Sequence, residues 1–225
     1  MSHIDNLKQH VPDLLARKIL DLGSGRGKFL IEVVQRGGVV IGLEKNPSYI
    51  KKSQNNAHSS GVKISVTKGV GERLSYENNS FGFVNMSEII EHVKDPQMVM
   101  HEVFRVLEPG GMVYLSVPNR FGIRDPHFHV YFVNWLPRLW SNAYLSLMGK
   151  HKEYHNRSGH QRLQDMHYYT LKSVRRMLNC IGFEVTDIRE RRIKKKNMNV
   201  ILPIYIIARF FYFDSFHLLL TRPNV

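Results

Sequence analysis

A glycine-rich segment that follows an acidic residue is the clearest chemical signature of this chain. Residues 21–27 read Asp-Leu-Gly-Ser-Gly-Arg-Gly and come directly after a short apolar run. Glycines let a backbone pass close to a ligand, and the start of the helix predicted next offers free N–H groups. A second acid, Glu44, stands 17 residues after Gly27, where it could bind a ribose diol. The segment predicts a cofactor site; the related glycine pattern of dinucleotide-binding domains is the alternative, which the two acids disfavour.

The elements that position this segment alternate between strand and helix. Short apolar runs predict strands at 18–22, 38–43, 62–67, 81–86 and 112–117, and later at 183–188 and 216–221. Helical spacing and capping residues predict helices at 27–36, from Asn46, at 95–107 and at 170–179. Such alternation with short connections is typical of a doubly wound, mostly parallel α/β sheet.

The composition restricts the class of protein. The chain has 225 residues, of which 43% are hydrophobic, so it can fold around a core and is not a disordered basic tail protein. Its one cysteine, Cys180, excludes a disulfide scaffold and a multi-cysteine zinc site, and it fits a reducing compartment. Residues 1–10 lack the apolar run of a signal peptide, so we expect a cytoplasmic protein.

The formal net charge of +13 is concentrated in the second half of the chain. Residues 1–119 carry 14 cationic and 12 acidic side chains, whereas residues 120–225 carry 18 and 7. Six of the twelve histidines also lie between positions 127 and 167. A nucleic acid, a phospholipid surface or a phosphorylated substrate would each suit such a surface.

Several stretches occur in the order and spacing of one known family. They are Ile19–Gly27, Ile41–Glu44, Glu88–Pro96 and Phe104–Gly111, with a looser fit at His167–Thr170 and Ile181–Phe183. Together they resemble the class I S-adenosylmethionine-dependent methyltransferases, and among them the type-11 branch that includes quinone-biosynthesis methyltransferases. The resemblance implies a Rossmann-like doubly wound sheet with strand order 3-2-1-4-5-7-6, in which strand 7 is antiparallel. It also implies S-adenosyl-L-methionine as the cofactor and methyl transfer as the activity.

The resemblance implies a cofactor site residue by residue. The acid and glycines of residues 21–27 would hold the methionine part, Glu44 would take the ribose hydroxyls, and Ser87 and Glu88 would lie under the sulfonium. Residues 71 and 72 would lie beside the adenine. The full set is Asp21, Gly23, Ser24, Gly25, Gly27, Glu44, Lys45, Gly71, Glu72, Ser87 and Glu88.

Two departures from the family pattern affect the adenine contacts. Val70 stands where members often have an aspartate, and Phe81-Gly82 stands where Phe-Asp is expected. The missing contact would come from the backbone or from Glu72.

A hydroxyl acceptor would need a base, because the cofactor is already electrophilic and only the nucleophile requires help. The candidates are His92, His127, His129 and His167, of which we assign His92, His129 and His167 as catalytic. His92 follows the fourth strand at the mouth of the expected cleft; the alternative is a histidine that is merely hydrogen-bonded at a helix start. Because the candidates crowd the acceptor side, O-methylation is favoured over N- or C-methylation.

Glu88, Glu91 and His92 raise the question of a metal. On a helical turn these positions share one face, and two carboxylates with an imidazole could hold a divalent ion that polarises a hydroxyl. The arrangement resembles that of quinone-ring and RNA 3′-end 2′-O-methyltransferases, both metal-assisted. The alternative is a carboxylate under the cofactor with a helix-capping pair. We assign no metal ligand.

Residues 119–169 interrupt the alternation and predict a helical or irregular substrate lid with a helix near 135–148. It loosely resembles the lids of methyltransferases from bacterial surface-glycan and lipid pathways. Its cations and aromatic rings could contact an anionic or ring-bearing acceptor: Arg120, Arg124, His127, His129, Trp135 and Trp140. A lid with its own small core, in which the aromatic rings pack and the cations point to water, is the alternative.

Residues 189–213 form a basic and apolar C-terminal edge. Arg189–Lys196 contains six cations and one anion, and Val200–Phe213 is almost wholly apolar but too short and broken to span a bilayer. A basic run beside an apolar helix favours peripheral contact with an anionic membrane. A solvated loop and an ordinary buried element are the respective alternatives.

Three functions would use these features differently. The first is O-methylation of a lipid-linked, glycan or ring-bearing acceptor by a cytoplasmic enzyme that is peripheral at the membrane. The second is RNA 2′-O-methylation, which is disfavoured because no RNA-binding module is recognisable. The third is a binding module that keeps the fold without catalysis, against which the intact glycine segment argues. We expect residues 1–225 to form a single methyltransferase domain that includes the 119–169 lid.

Overall fold

The computed structural model describes residues 2–150, 162–198 and 200–224, in which helices surround a seven-stranded sheet. The strands are β1 (Lys18–Leu22), β2 (Val39–Glu44), β3 (Ser65–Lys68), β4 (Phe81–Met86), β5 (Leu107–Pro118), β6 (Glu184–Asp187) and β7 (Ser215–Thr221). The helices are α1 (His3–Lys8), α2 (Lys28–Gln35), α3 (Pro47–Ser59), α4 (Pro96–Val106), α5 (Arg138–Leu147), α6 (Leu171–Ile181), α7 (Ile188–Lys195) and α8 (Leu202–Ala208). Residues 151–161 of the predicted lid lie outside the described residues.

The sheet confirms the predicted topology. Its strand order is β3-β2-β1-β4-β5-β7-β6. The pairs from β3 to β5 are parallel, and β7 is antiparallel to both of its neighbours. The chain leaves β1 toward β2 on one side and reaches β4 on the other, so the order reverses between β1 and β4. In open α/β sheets, ligands bind beyond the carboxyl ends of the strands at such a reversal.

Local capping explains where the predicted helices begin. Asn46 directly precedes α3, and its side chain accepts a hydrogen bond from the Ser48 N–H. Asp95 directly precedes α4, and its side chain accepts the Met98 N–H in the same way. Thr170 caps α6, and Gly182 ends it with a φ of 112°. These helices therefore begin as the sequence predicts because the signals are local.

Helices cover both faces of the sheet. On one face, α4 and α6 bury Val99, Val103 and Leu178 against Leu20 and Leu22 of β1. On the other face, α1 and α2 pack on the alternate strand residues, among them Ile19 and Phe83. The side chains of Asp21 and Asn85 follow Ile19 and Phe83 by two positions, so they lie on the face that α1 covers.

Two segments differ from the sequence expectations. Helix α1 was not predicted, because it has six residues and only Ile4 and Leu7 to bury; a capping box from Ser2 starts it. Most of Arg189–Lys196 is helical in α7 rather than a loop, since Asp187 caps its first turn. The apolar stretch after it is not an ordinary buried element: in α8 only Tyr205 is buried.

The described part of the lid has its own small core, which is one part of the alternative. Its buried residues are Phe128, Val130, Val133, Leu145, Leu163 and Met166. Trp135 and Trp140 stay outside this core and are 52% and 66% exposed. Among the residues that the structure describes, no helix is long and apolar enough to cross a membrane.

Candidate functional site

A cleft of about 690 Å³ opens at the carboxyl ends of the strands beside the order reversal. Seven of the predicted site residues line it: Gly23, Gly25, Glu44, Lys45, Gly71, Glu72 and His92. Leu22, Leu43, Ile89 and Val93 add apolar surface. Its volume and mixed lining are typical of a site for a small molecule or cofactor.

The glycine segment lies against the wall of this cleft and requires glycine at two points. Gly23 has a φ of +77°, and a Cβ there would lie 2.0 Å from Ile89 Cδ1. Gly27 has a φ of +78°, and a Cβ would lie 2.8 Å from Ser53 Cβ. The N–H groups of Gly23 and Ser24 donate to the Leu43 carbonyl, so the segment is tied to the end of β2. A side chain at Gly23 would collide with Ile89, and one at Gly27 would collide with Ser53 of α3, so either would displace the segment.

Glu44 joins the glycine segment to the start of α3. One carboxylate oxygen accepts the Gly25 N–H at 3.0 Å and the other accepts the Asn46 N–H at 2.8 Å. The side chain is buried but still lines the cleft. An ionised carboxylate held by two N–H donors has further lone pairs, which suits it to accept hydroxyl groups.

The predicted adenine side contains one contact that sequence reasoning missed. Val70 lines the cleft and is 47% exposed. A carboxylate oxygen of Glu72 accepts the Lys94 N–H at 2.8 Å. Glu72 therefore holds the segment after β4 in place, besides any contact with a ligand.

The other five predicted cofactor residues do not line the cleft. Asp21 and Ser24 are buried, and Gly27 packs on α3. Ser87 and Glu88 are exposed after β4, and the Glu88 N–H donates to Ser116 Oγ at 2.7 Å. The roles of these five residues in cofactor binding stay predictions.

Asp21 is chemically unusual. Its carboxylate accepts a hydrogen bond of 2.7 Å from the Asn85 amide. Burial, and secondarily the charge of Glu44, raises the pKa of Asp21 to about 7, although the Asn85 hydrogen bond opposes the shift. Asp21 is thus a titrating group immediately before the glycine segment.

The raised pKa of Asp21 predicts how stability depends on pH. The folded protein keeps a proton on Asp21 up to about pH 7, whereas the unfolded chain releases it near 3.8. The contribution of Asp21 to the free energy of unfolding is therefore fully present below pH 3.8 and is lost as pH rises from there through about 7. We expect Asp21→Asn to raise the melting temperature by about 5 °C more at pH 8 than at pH 5, measured by thermal unfolding. Equal differences at both pH values would contradict the shift.

The turn after β4 and the lid together form a compact cluster of one acid and two histidines. The buried carboxylate of Glu91 lies 3.2 Å from His127 Nε2 and 3.8 Å from His92 Nε2. Potential ligand atoms of the three residues all lie within 4.8 Å of one another. The cluster can act in two ways, as an imidazole base oriented by a carboxylate or as three ligands for a divalent cation.

This cluster differs from the set suggested by sequence spacing. Glu88 is not part of it, because residues 87–92 form bends and turns rather than an α-helix and Glu88 has a φ of +56°. His127 takes that place, although our assignment named His92, His129 and His167. The Asp125 carboxylate accepts the His127 N–H and so orients that loop.

The other two assigned histidines, His167 and His129, are not members of this cluster. The His167 N–H donates to the Glu91 carbonyl at 3.1 Å, so its backbone borders the cluster. His129 is exposed, with a φ of +57°. The sequence pointed to His127 only as one of four candidate bases. Its contact with Glu91 could not be predicted, because residue spacing does not show which loops meet.

A model of the type-11 methyltransferase domain matches residues 20–115. Residues 20–115 therefore match a methyltransferase domain. This match contains the glycine segment, Glu44 and the turn after β4, and the family implies S-adenosyl-L-methionine as the cofactor of the methyltransferase domain.

Known proteins support the assignment of this methyltransferase domain. It is 33% identical over 110 residues to the ubiquinone biosynthesis O-methyltransferase of Klebsiella pneumoniae, which covers 48% of this chain and 46% of the relative. The chain thus matches about half the length of such relatives. The fold is similar to S-adenosylmethionine-dependent methyltransferases from Mesorhizobium loti (TM-score 0.61, 17% identity, 97% of this chain and 96% of that one) and Methanosarcina mazei (0.59, 21%, 93% of each).

Proposed function

We propose that the chain is an S-adenosylmethionine-dependent methyltransferase. The observation that carries this proposal is the Glu44 carboxylate beside two positive-φ glycines in an apolar-walled cleft. The residues fit the cofactor: Glu44 would accept the ribose hydroxyls, Ile89 and Val93 would flank the adenine, and Gly23 lets the backbone pass against Ile89, where a Cβ would collide. When bound, the cofactor supplies a methyl group activated on a sulfonium.

The chain's own residues would position the reactants and manage a proton. Glu91 and His92 of the turn after β4 and His127 of the lid lie together, and His92 lines the cleft. A carboxylate beside an imidazole favours removal of a hydroxyl proton, and this supports O-methylation. A divalent cation on the same three groups is the second way to activate a hydroxyl.

We infer that the acceptor is carried by a lipid and that the enzyme contacts an anionic membrane. The support is a set of exposed apolar residues that we call the apolar face. On the C-terminal side they are Val200, Ile201, Ile204, Ile207, Phe210, Phe211 and Tyr212; on the lid they are Phe121, Phe132, Trp135, Leu139 and Trp140. So many exposed apolar side chains are unusual for a surface that meets only water.

Hydrogen bonds join the two parts of the apolar face. The Ile123 N–H donates to the Phe211 carbonyl, and the Asn119 side chain donates to the carbonyls of Arg209, Phe210 and Phe213. The lid and the segment after α8 are therefore fastened to each other. Insertion of one part into a lipid interface would bring the lid to the same surface.

The cations next to this face suit an anionic leaflet. In and after α7, Arg191, Arg192, Lys194, Lys195 and Lys196 are exposed. Helix α8 is held beside α7 by Arg209–Glu190 at 2.8 Å and by Tyr205–Asp187 at 2.6 Å. Each cation near an anionic surface contributes about 1 kcal/mol, and the apolar side chains add burial in the interface.

Flotation with vesicles tests this contact. We expect the protein to float with phosphatidylglycerol-containing vesicles at low salt and to stay in solution with phosphatidylcholine alone. The double variant Ile204→Ser/Ile207→Ser should lower the bound fraction about tenfold, because it removes two apolar side chains from the interface. Val39→Ser is the matched control, since Val39 is 62% exposed at the start of β2, against 65% for Ile204.

Two outcomes would change the acceptor class. Full recovery of the wild-type protein in the soluble fraction with anionic vesicles would contradict membrane contact. Tight RNA binding with a steep fall of log K against log salt would favour the RNA 2′-O-methyltransferase instead.

Cofactor binding and a substrate search test the activity itself. We expect S-adenosylhomocysteine to bind by calorimetry, and labelled S-adenosylmethionine to transfer its methyl group to a component of a fractionated membrane extract. A protein that binds no S-adenosylhomocysteine would instead be a binding module that keeps the fold.

A further inference from the structure

A row of polar side chains crosses the sheet on the face covered by α1. Asp21 on β1 is in register with Asn85 on β4, and Asn85 is in register with Tyr114 on β5. Asp21 and Asn85 are both only 3% exposed. His3 of α1 lies over this row, with Nε2 3.1 Å from Asn85 Oδ1. The row therefore joins the first helix to the acid before the glycine segment.

The directions of these hydrogen bonds follow from what each group can donate. Above about pH 7 the Asp21 carboxylate is ionised and can only accept, so the Asn85 NH2 group must face it, as it does at 2.7 Å. The Asn85 oxygen then faces His3, and His3 must donate from Nε2. A histidine that donates here prevents the amide from turning its oxygen toward the carboxylate.

The His3 ring is itself held in place. It packs edge-on against Tyr114, with ring centroids 4.9 Å apart, and against Phe29 of α2 at 5.6 Å. Ile4 and Leu7 are buried beside it, and Asp5 pairs with Arg36 at the end of α2. The orientation of Nε2 is thus fixed by α1 docking rather than by solvent.

We propose that His3, through the Asn85 amide, fixes the buried Asp21 carboxylate and with it the glycine segment that follows, so that α1 supports the cofactor site. The inference rests on the proposed function, because it assigns His3 as a positioning residue for that cofactor. Asp21 directly precedes Leu22 and Gly23, which both line the cleft, so a turn of its carboxylate would act on the glycine segment.

Calorimetry with S-adenosylhomocysteine tests the assignment. We expect His3→Ala to weaken binding about tenfold, since Asp21 loses one aligned hydrogen bond to a charged group. His3→Gln should bind within about twofold of wild type, because the glutamine amide can still donate to Asn85. Lys8→Ala changes an exposed side chain in the last turn of α1, away from the ion pair with Arg36, and should also bind within about twofold.

A second measurement needs no cofactor. The pH dependence of thermal unfolding, compared with that of Asp21→Asn, reports the titration of Asp21 in each variant. His3→Ala should move that titration to higher pH and His3→Gln should leave it in place. Equal binding by His3→Ala and wild type, or a His3→Gln as weak as His3→Ala, would overturn the assignment. Absence of binding by the wild-type protein would refute the proposed function, while the titration would still decide whether His3 controls Asp21.

Discussion

Replacement of Glu44 by alanine is expected to weaken S-adenosylhomocysteine binding by about a hundredfold or more, because two hydroxyl groups lose charge-assisted hydrogen bonds. The same change leaves the N–H groups of Gly25 and Asn46 without their acceptor, so the glycine segment also loses its tie to α3. Both effects act on one site, and calorimetry measures their sum. Glu77→Ala, at an exposed position outside the cleft, is the control and should bind as the wild type does.

A second variant, Gly23→Ala, changes the cleft while the Glu44 carboxylate is retained. In Gly23→Ala the new methyl group points at Ile89 in the cleft and the residue keeps a φ of +77°, which costs about 1–2 kcal/mol for a residue with a Cβ. We expect it to lose cofactor affinity while Glu44 stays in place. Circular dichroism and thermal unfolding show whether each variant is folded. Unchanged affinity in both Glu44→Ala and Gly23→Ala would refute the assigned pocket.

Replacement of Glu91 by glutamine should lower the rate of methyl transfer by about 10²–10⁴-fold, the usual contribution of a positioned acid–base group. Glutamine has nearly the same shape, so the buried site keeps its packing, but it no longer attracts a proton or a cation beside His127. Affinity for S-adenosylhomocysteine should change by less than about threefold, because the cofactor contacts lie on the glycine segment and β2. The readout is transfer of labelled methyl groups to the membrane extract.

Histidine variants identify which imidazole takes part. His127→Ala should lose activity as Glu91→Gln does, since its Nε2 lies 3.2 Å from the carboxylate. His129→Ala, at an exposed position, should keep most of it. The reverse result would restore the assignment made from the sequence and contradict the role of the cluster.

Titration with Mg²⁺, Mn²⁺ and Zn²⁺ distinguishes the two roles of the cluster. Heat that is present in the wild type and absent in Glu91→Gln would favour a cation on Glu91, His92 and His127. No heat from any of the three ions would leave the imidazole–carboxylate pair as the base.

The fold and the cleft could be predicted from the sequence because their signals are local. The glycines of residues 21–27 and the caps at Asn46, Asp95 and Thr170 act within a few residues of where they stand, and strand periodicity does the same. The strand order then followed from the family resemblance. Glu44 could be assigned in the same way, since the end of β2 must lie beside the end of β1 in such a sheet.

Contacts between distant segments could not be predicted in this way. The helical spacing of Glu88, Glu91 and His92 assumed a helix that the turn after β4 does not form, and the partner of Glu91 is His127, which lies in the lid. His3 meets Asn85 across 82 positions of the chain. Neither pair has a spacing that a local pattern could reveal.

The sequence by itself determined the sheet, the cofactor-type cleft and the division of charge between a nearly neutral first half and a basic second half. Only the tertiary structure decided that His127 joins Glu91, that α1 docks His3 on Asn85, and that the apolar stretch around α8 stays exposed beside the lid. The physical reason is that backbone conformation depends on near neighbours, whereas side-chain proximity and exposure depend on how the helices and the lid pack on the sheet.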